Sequence, residues 1–188
     1  MSNYQESVNT VTLCGKIVKI YNVDVPKRGC SHLLVTLNVG RRTFPQIYLE
    51  EKIIRDVREN LQEGQIVTIC GNIQHSNLQK KGQVYAVWGT SLKIENPYET
   101  ILYRNEFYLE GIVHRVEIYS PKKARVFVKT NSGGHKSLVP VTIFNEIDNP
   151  VNFEPCDSFK CCGVIQTGKR TIGGKDEFYE IYVAKKYV

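Results

Sequence analysis

A ten-residue pattern that occurs twice constrains the fold of this chain more than any other feature. Residues 65–74 read QIVTICGNIQ, and residues 157–166, which lie 92 positions later, read DSFKCCGVIQ. In both copies apolar residues alternate with others up to a Cys-Gly pair, and both resume with Ile-Gln. The alternation is typical of a β-strand, and the glycine indicates a bend within it. Two copies in 188 residues predict two units of roughly 90 residues each.

The residues around the first copy predict five strands and one helix. We expect strands at residues 8–21, 32–39, 44–49, 65–75 and 83–94. Gly15 interrupts the first of them, and such a bend lets one strand serve both halves of a small barrel. Helical spacing is followed by Ile53, Ile54, Val57 and Leu61, which predicts a helix at residues 50–61. Three strands, a helix and two further strands are the order of the OB-fold, a five-stranded Greek-key barrel.

The second copy lies in a unit of the same kind that lacks the helix. Its strands are expected at residues 107–119, 124–131, 138–144, 159–166 and 177–185, with Gly111 in the place of Gly15. Residues 145–155 contain two prolines and no helical periodicity, which predicts a loop or a short turn. Residues 167–175 are predicted to form a turn. The predicted fold class is therefore all-β with one short helix, arranged as two tandem OB-fold barrels. Pro97 lies in the best linker candidate, which divides the chain into residues 1–97 and 98–188.

Composition and charge narrow the classes of function. The net charge of +6 is compatible with a polyanionic partner, although charge alone does not establish one. No apolar run is long enough to cross a bilayer and no secretory signal opens the chain, so we expect a cytoplasmic protein without a membrane partner. Its six cysteines are then expected to stay reduced and to pack as small apolar groups. They show no C-x-x-C spacing, so neither a metal nor another cofactor is predicted.

The chain carries no recognisable catalytic motif. It contains no phosphate-binding glycine loop, no G-x-S-x-G and no H-E-x-x-H. Its four histidines are spread along the predicted strands without forming a cluster. We therefore predict that the protein is not an enzyme and assign no catalytic residue.

Aromatic residues interleaved with basic ones are the feature that points to a function. A protein that binds single strands without sequence preference needs flat rings on which bases can stack and cations that contact the phosphates. In OB-folds such groups come from the face of strands two and three and from the loops after strands one and four. About half of the aromatic residues are expected to fill the barrels instead. The candidate nucleic-acid-binding residues are Lys16, Tyr21, Arg41, Arg42, Phe44, Tyr48, Lys80, Lys81, Tyr85, Trp88, Tyr119, Lys122, Lys123, Arg125, Phe127, Lys169, Arg170 and Tyr179.

The first unit resembles the bacterial and phage single-stranded DNA-binding protein (SSB) family. The residues that carry the resemblance are 8–16, 44–49 and 61–74. It implies binding of single-stranded DNA, and it places Phe44 near a stacking aromatic of that family. Family members typically have one OB-fold per chain, form tetramers and end in an acidic tail that recruits replication and repair proteins. Here the sequence ends VAKKYV, so tail-mediated recruitment is not expected, and two folds per chain favour a monomer or a homodimer.

The function predicted from these features is sequence-tolerant binding of single-stranded DNA in replication, recombination or repair, with replication or recombination proteins as possible partners. One alternative is a protein-interaction module whose aromatic faces form an interface within a replication or mobile-element complex. Another is binding of RNA or tRNA by the same fold, since stacking surfaces alone tolerate both sugars. An OB-fold subunit of an enzyme is the most distant alternative.

Overall fold

The computed structural model describes residues 7–25, 30–78, 82–132, 134–144 and 151–188, and these form ten strands with little helix. The first five strands are β1 (Asn9–Val25), β2 (Cys30–Asn38), β3 (Gln46–Glu50), β4 (Ile66–Leu78) and β5 (Gly82–Ile94). The second five are β6 (Arg104–Ser120), β7 (Lys123–Ser132), β8 (His135–Phe144), β9 (Ser158–Ile172) and β10 (Lys175–Tyr187). Each strand predicted from the sequence is present.

The strands close two barrels of identical topology. In the first, hydrogen-bonded neighbours follow the order β1-β2-β3-β5-β4 and return to β1, and in the second they follow β6-β7-β8-β10-β9 and return to β6. The β3–β5 and β8–β10 pairs are parallel, whereas the other pairs within each barrel are antiparallel. This is the five-stranded Greek-key arrangement of the OB-fold. The predicted fold class is therefore confirmed.

Alternating apolar side chains fill each barrel. Val11 and Leu13 on β1 point inward and are almost completely buried, as are Val126 and Val128 on β7. The intervening residues of the same strands point outward, because successive side chains of a strand lie on opposite faces. The inward set forms one continuous hydrophobic core that extends through both barrels.

The glycine of each Cys-Gly pair sits where β4 or β9 passes closely over the neighbouring strand. A Cβ on Gly71 would lie 2.2 Å from the carbonyl oxygen of Trp88, and one on Gly163 would lie 2.1 Å from that of Val183. Both distances are far below van der Waals contact, so only glycine fits at either position. The Cys-Gly repeat thus marks the same structural position in both barrels.

The two barrels are joined through their first strands. β1 pairs with β6 antiparallel, with Val11 opposite Phe107, so that all ten strands form one continuous hydrogen-bonded sheet. An antiparallel pair of equivalent strands relates the two barrels by an approximate two-fold axis.

Two asparagines repeat the same contact on either side of this axis. The Asn9 side chain donates to the carbonyl of Ile73 (2.8 Å) and accepts from its N–H (2.9 Å). The Asn105 side chain does the same with Ile165, at 2.7 and 2.9 Å. Each asparagine lies on a first strand and each isoleucine follows a Cys-Gly pair, so the amide side chain continues the strand pairing where the main chains diverge. Asn9 also donates to Thr130 of the second barrel at 3.3 Å.

The predicted helix is wrong in extent. Only one α-helical turn, α1 (Glu51–Ile54), is present, followed by a 3₁₀ turn at Arg58–Asn60. Helical conformation does not continue through Val57, whose φ is −120° and ψ −4°. Ile54 and Leu61 are nevertheless buried as the predicted spacing required.

The predicted turn at residues 167–175 is also wrong in extent. β9 continues to Ile172 and β10 begins at Lys175, so that only Gly173 and Gly174, both with positive φ, form the turn. In the segment that was expected to be a loop or short turn, residues 145–150 lie outside the described residues. Residues 151–157 contain a turn and no helix, in agreement with the expectation for that part.

Candidate nucleic-acid interface

In each barrel the fourth and fifth strands form a hairpin that extends onto the other barrel. These are the β4–β5 and β9–β10 hairpins. The β9–β10 hairpin lies against the start of β3, where the Phe44 N–H donates to Thr167 Oγ1 (2.8 Å) and the Gln46 N–H donates to Glu180 Oε1 (2.7 Å). The β4–β5 hairpin makes the reciprocal crossing, because β4 runs beside β8. Each barrel therefore has an outer face that is bordered by a hairpin of the other barrel.

Exposed aromatic rings and basic groups come together on the second barrel. Tyr119 and Phe144 are 51% and 50% exposed. The Lys123 Nζ lies 5.6 Å from the centroid of the Tyr119 ring and 5.7 Å from that of Phe144, and the Arg125 guanidinium lies 5.3 Å from Tyr119. We call this surface, formed by Tyr119, Lys123, Arg125 and Phe144, the β7 face. Lys123 and Arg125 point outward because Ala124 and Val126, which alternate with them along β7, are buried.

Hydrogen bonds and ion pairs hold the border of the β7 face. The Tyr119 hydroxyl donates to Glu117 at 2.7 Å, and this bond raises the pKa of Tyr119 and lowers that of Glu117. Arg115 also binds Glu117, at 3.2 Å, and its guanidinium covers the ring of Phe127 with 3.8 Å between Cζ and the centroid. Residues 115–129 contain five basic residues and one acidic residue. The β7 face therefore carries an excess of positive charge.

Tyr85 of the first barrel lies on β5, in the hairpin that crosses to the second barrel. Its ring contacts that of His75 with 5.2 Å between centroids. Burial raises the pKa of Tyr85, while the positive charges of Arg115 and Arg125 of the second barrel oppose that rise.

The outer face of the first barrel is closed by its own aromatic residues. The rings of Tyr48 and Trp88 stack with 5.2 Å between centroids and an interplanar angle of 19°, and His32 meets Trp88 edge-on at 5.4 Å. Tyr48 is 7% exposed and Trp88 5%, and with Ala86 they form a small hydrophobic cluster of their own. The parallel register that sets Tyr48 beside Trp88 is what brings the rings together. Burial raises the pKa of Tyr48, and the nearby charge of Glu180 adds to the effect.

The β9–β10 hairpin carries exposed rings and cations that are already neutralised. Phe178 is 69% exposed and Tyr179 41%, and the Arg170 guanidinium lies 5.7 Å from the Tyr179 ring. Lys169 forms an ion pair with Asp176 at 2.8 Å, and Arg170 one with Glu177 at 2.9 Å. The two cations are strand residues that face carboxylates across the hairpin, rather than turn residues.

The same two-barrel arrangement occurs in a solved protein, the single-stranded DNA-binding protein from Thermus aquaticus. A deletion mutant of it matches with a TM-score of 0.76 at 15% identity, over 97% of this chain and 94% of that one. The wild-type protein matches with a TM-score of 0.72 at 15% identity, over 98% and 93%. The chain has the fold of that SSB. The resemblance predicted from the first barrel is thus confirmed at the level of the fold, and it includes the second barrel.

Comparison at the level of sequence adds no further relative. No protein-family model and no curated protein sequence matches the chain. At 15% identity, the SSB likeness describes the path of the backbone, and the side chains have to be judged from their own surroundings.

The structure separates the predicted site residues into exposed and covered groups. Tyr48, Trp88 and Phe127 are buried, so their prediction as stacking surfaces is contradicted: the first two cover each other, and Arg115 covers the third. Lys80 and Lys81 lie outside the described residues. Exposed or partly exposed are Lys16, Tyr21, Arg41, Arg42, Phe44, Tyr85, Tyr119, Lys122, Lys123, Arg125, Lys169, Arg170 and Tyr179.

The exposed residues of the first barrel lie at separate places. Phe44, which is 38% exposed, precedes β3 next to Arg41 and Arg42, whose φ angles are +49° and +58°. Tyr21 lies on β1 and is 41% exposed, with the Lys19 ammonium 4.9 Å from its ring centroid.

One exposed aromatic residue of the β7 face was missed by the sequence reasoning. Phe144 ends β8 and was assigned only to a strand pattern. Its outward position follows from alternation with the buried Ile143. The alternation can be read from the sequence. The proximity of Phe144 to Lys123, its partner in the β7–β8 register, is known only from the structure.

Neither a metal centre nor a membrane span is found within the described part of the chain. No group of three or more His, Cys, Asp and Glu side chains there could hold a metal ion. No helix formed by those residues has the length and apolar character needed to cross a membrane.

Proposed function

We propose that this protein binds single-stranded DNA without sequence preference. The observation that carries the proposal is the β7 face, where two half-exposed rings, Tyr119 and Phe144, flank the ammonium of Lys123. Unpaired bases stack on exposed rings whatever their sequence, and each stacked base contributes about 1 to 3 kcal/mol. The Thermus aquaticus protein with the same fold is a single-stranded DNA-binding protein, which supports the assignment.

Binding would combine two contributions on one surface. Lys123 and Arg125 contact phosphates and release the counterions condensed on the strand, so affinity falls as salt rises. Tyr119 and Phe144 receive the bases on their open faces. Neither contribution requires bond-making chemistry, so the protein acts by holding the strand rather than by transforming it.

The proposal extends to the cellular process, the oligomeric state and the domains of the protein. The protein acts in replication, recombination or repair, where it protects or presents single strands. It functions as a monomer or homodimer, and residues 1–97 and 98–188 form its two domains. The exposed candidates on the first barrel, among them Phe44, Arg41 and Arg42, supply additional contacts.

Titration of fluorescein-labelled oligo-dT with the full chain at several salt concentrations tests the proposal. Micromolar or tighter binding that weakens steeply with salt is expected. Absence of binding at low salt would refute the function. Competition with oligo-U measures the preference between DNA and RNA, and equal competition would show that the protein does not distinguish the two sugars.

A further inference from the structure

The two barrels present unequal outer faces. On the β7 face the rings of Tyr119 and Phe144 are half exposed. On the first barrel the corresponding surface holds Tyr48 and Trp88, which stack on each other and are 7% and 5% exposed. A ring that is covered in this way offers no surface to a base, so among the described residues the surface at Tyr48 and Trp88 lacks the open rings of the β7 face.

The balance of charged residues also favours the β7 face over the surface of the first barrel. Residues 115–129 contain five basic residues and one acidic residue, whereas residues 167–180, in the hairpin that borders the first barrel, contain three of each. Lys169 and Arg170 are held in ion pairs by Asp176 and Glu177. A cation that is already paired with a carboxylate gains less from a phosphate, because it must give up its partner to bind.

The cations of the β7 face are arranged differently. Within the described ranges of the chain, Lys123 and Arg125 contact aromatic rings and form no ion pair with a carboxylate. Arg125 is opposite Glu117 in the β6–β7 register, but the ion pair of Glu117 goes to Arg115. Both groups are therefore placed to contact phosphate next to the rings on which bases would stack.

We propose that bases bound by this protein stack on the β7 face of the second barrel. This assignment rests on the proposed function and states where on the molecule the bases would bind. The surface formed by Tyr48 and Trp88 on the first barrel takes no stacked base. The main stacking contacts are thus made by the barrel that shows the weaker sequence resemblance to the SSB family.

Matched substitutions test the assignment with a labelled oligo-dT of about eight nucleotides, which is within the ~4 to 16 nucleotides that one OB-fold holds. Tyr119→Ala and Phe144→Ala are expected to weaken binding by about 5- to 150-fold each, the equivalent of one lost stacking contact. Phe178→Ala is the control, since it removes an exposed ring from the β9–β10 hairpin, outside the β7 face, and it should leave the affinity unchanged.

The salt dependence supplies a second, independent measurement. Lys123→Gln is expected to lower the slope of log affinity against log salt by about 0.7, the value for one phosphate contact on a single strand. Lys169→Gln, which removes an ion-paired cation, should leave the slope unchanged.

The possible failures are distinguishable. If the unaltered chain does not bind oligo-dT at low salt, the proposed function itself is refuted. If it binds, and if Tyr119→Ala and Phe144→Ala bind as well as the unaltered chain, the function stands and the assignment to the β7 face is overturned. Because the three substituted rings are substantially exposed, unchanged urea midpoints are expected and show that each variant is folded.

Discussion

Replacing Asn9 by alanine tests whether the repeated asparagine contact stabilises the two-barrel fold. Asn9 is 3% exposed, and its side chain satisfies both the N–H and the carbonyl of Ile73. The substitution leaves these two groups without partners in the interior, and each buried, unsatisfied group costs about 1 to 3 kcal/mol. We expect the free energy of unfolding to fall by about 2 to 5 kcal/mol.

Two further variants calibrate this loss. Asn105→Ala removes the equivalent pair of bonds to Ile165, but Asn105 is partly exposed, so water can reach the freed groups and we expect a loss of about 1 to 2 kcal/mol. Thr130→Val removes only the third bond of Asn9 and should cost about 0.5 to 1 kcal/mol.

Urea unfolding followed by two signals measures these effects. The fluorescence of Trp88, the single tryptophan, reports on the first barrel, and far-ultraviolet circular dichroism reports on both. The two transitions are expected to coincide, because the barrels share one sheet and one hydrophobic core. If Asn9→Ala lost no more stability than Thr130→Val, the proposed stabilising role of the bonds to Ile73 would be wrong.

The remaining predictions concern backbone contact and pH. Gly71→Ala is expected to destabilise the protein by about 3 kcal/mol, because the new Cβ would lie 2.2 Å from the Trp88 carbonyl oxygen. Gly134→Ala, which meets nothing within 4 Å at φ +78°, should cost about 1 to 2 kcal/mol, and equal losses in urea unfolding would contradict the steric argument. Burial raises the pKa of Glu180 from 4.5 to about 7, so the folded state holds this proton more tightly than the unfolded chain does. The contribution of Glu180 to stability is therefore fully present below pH 4.5 and declines as the pH rises toward 7, by at most about 3 kcal/mol. Glu180→Gln should remove that decline, and parallel pH profiles of the urea midpoint for variant and wild type would exclude this role.

Much of the fold follows from local patterns in the sequence. The alternation of apolar residues located every strand, and the two Cys-Gly pairs identified equivalent strands of two barrels. Such patterns are informative because a strand with one buried face needs an apolar side chain at every second position. The helix was overestimated for a related reason: the spacing of Ile54 and Leu61 correctly identified buried residues, but it did not reveal that Val57 leaves the helical conformation.

The candidate site was only partly predictable. Interleaved aromatic and basic residues correctly marked Tyr119, Lys123 and Arg125 as exposed or partly exposed on a barrel face, although their role in binding stays a prediction. The same pattern selected Tyr48 and Trp88, which are buried. Alternation tells which side chains point out of a barrel, but it does not tell which outward side chains are then covered by one another.

The sequence by itself determined the number of barrels, the order of their strands and the residues that fill them, because each of these depends on local periodicity. Only the tertiary structure decided that the hairpins cross between barrels and that Tyr48 and Trp88 of the first barrel cover each other. These features depend on strand register and on contacts between residues far apart in the chain, such as Gln46 with Glu180. The Cys-Gly repeat illustrates the division: the sequence showed that the two positions are equivalent, and the structure showed that each lies beside an isoleucine bound by an asparagine of the first strand.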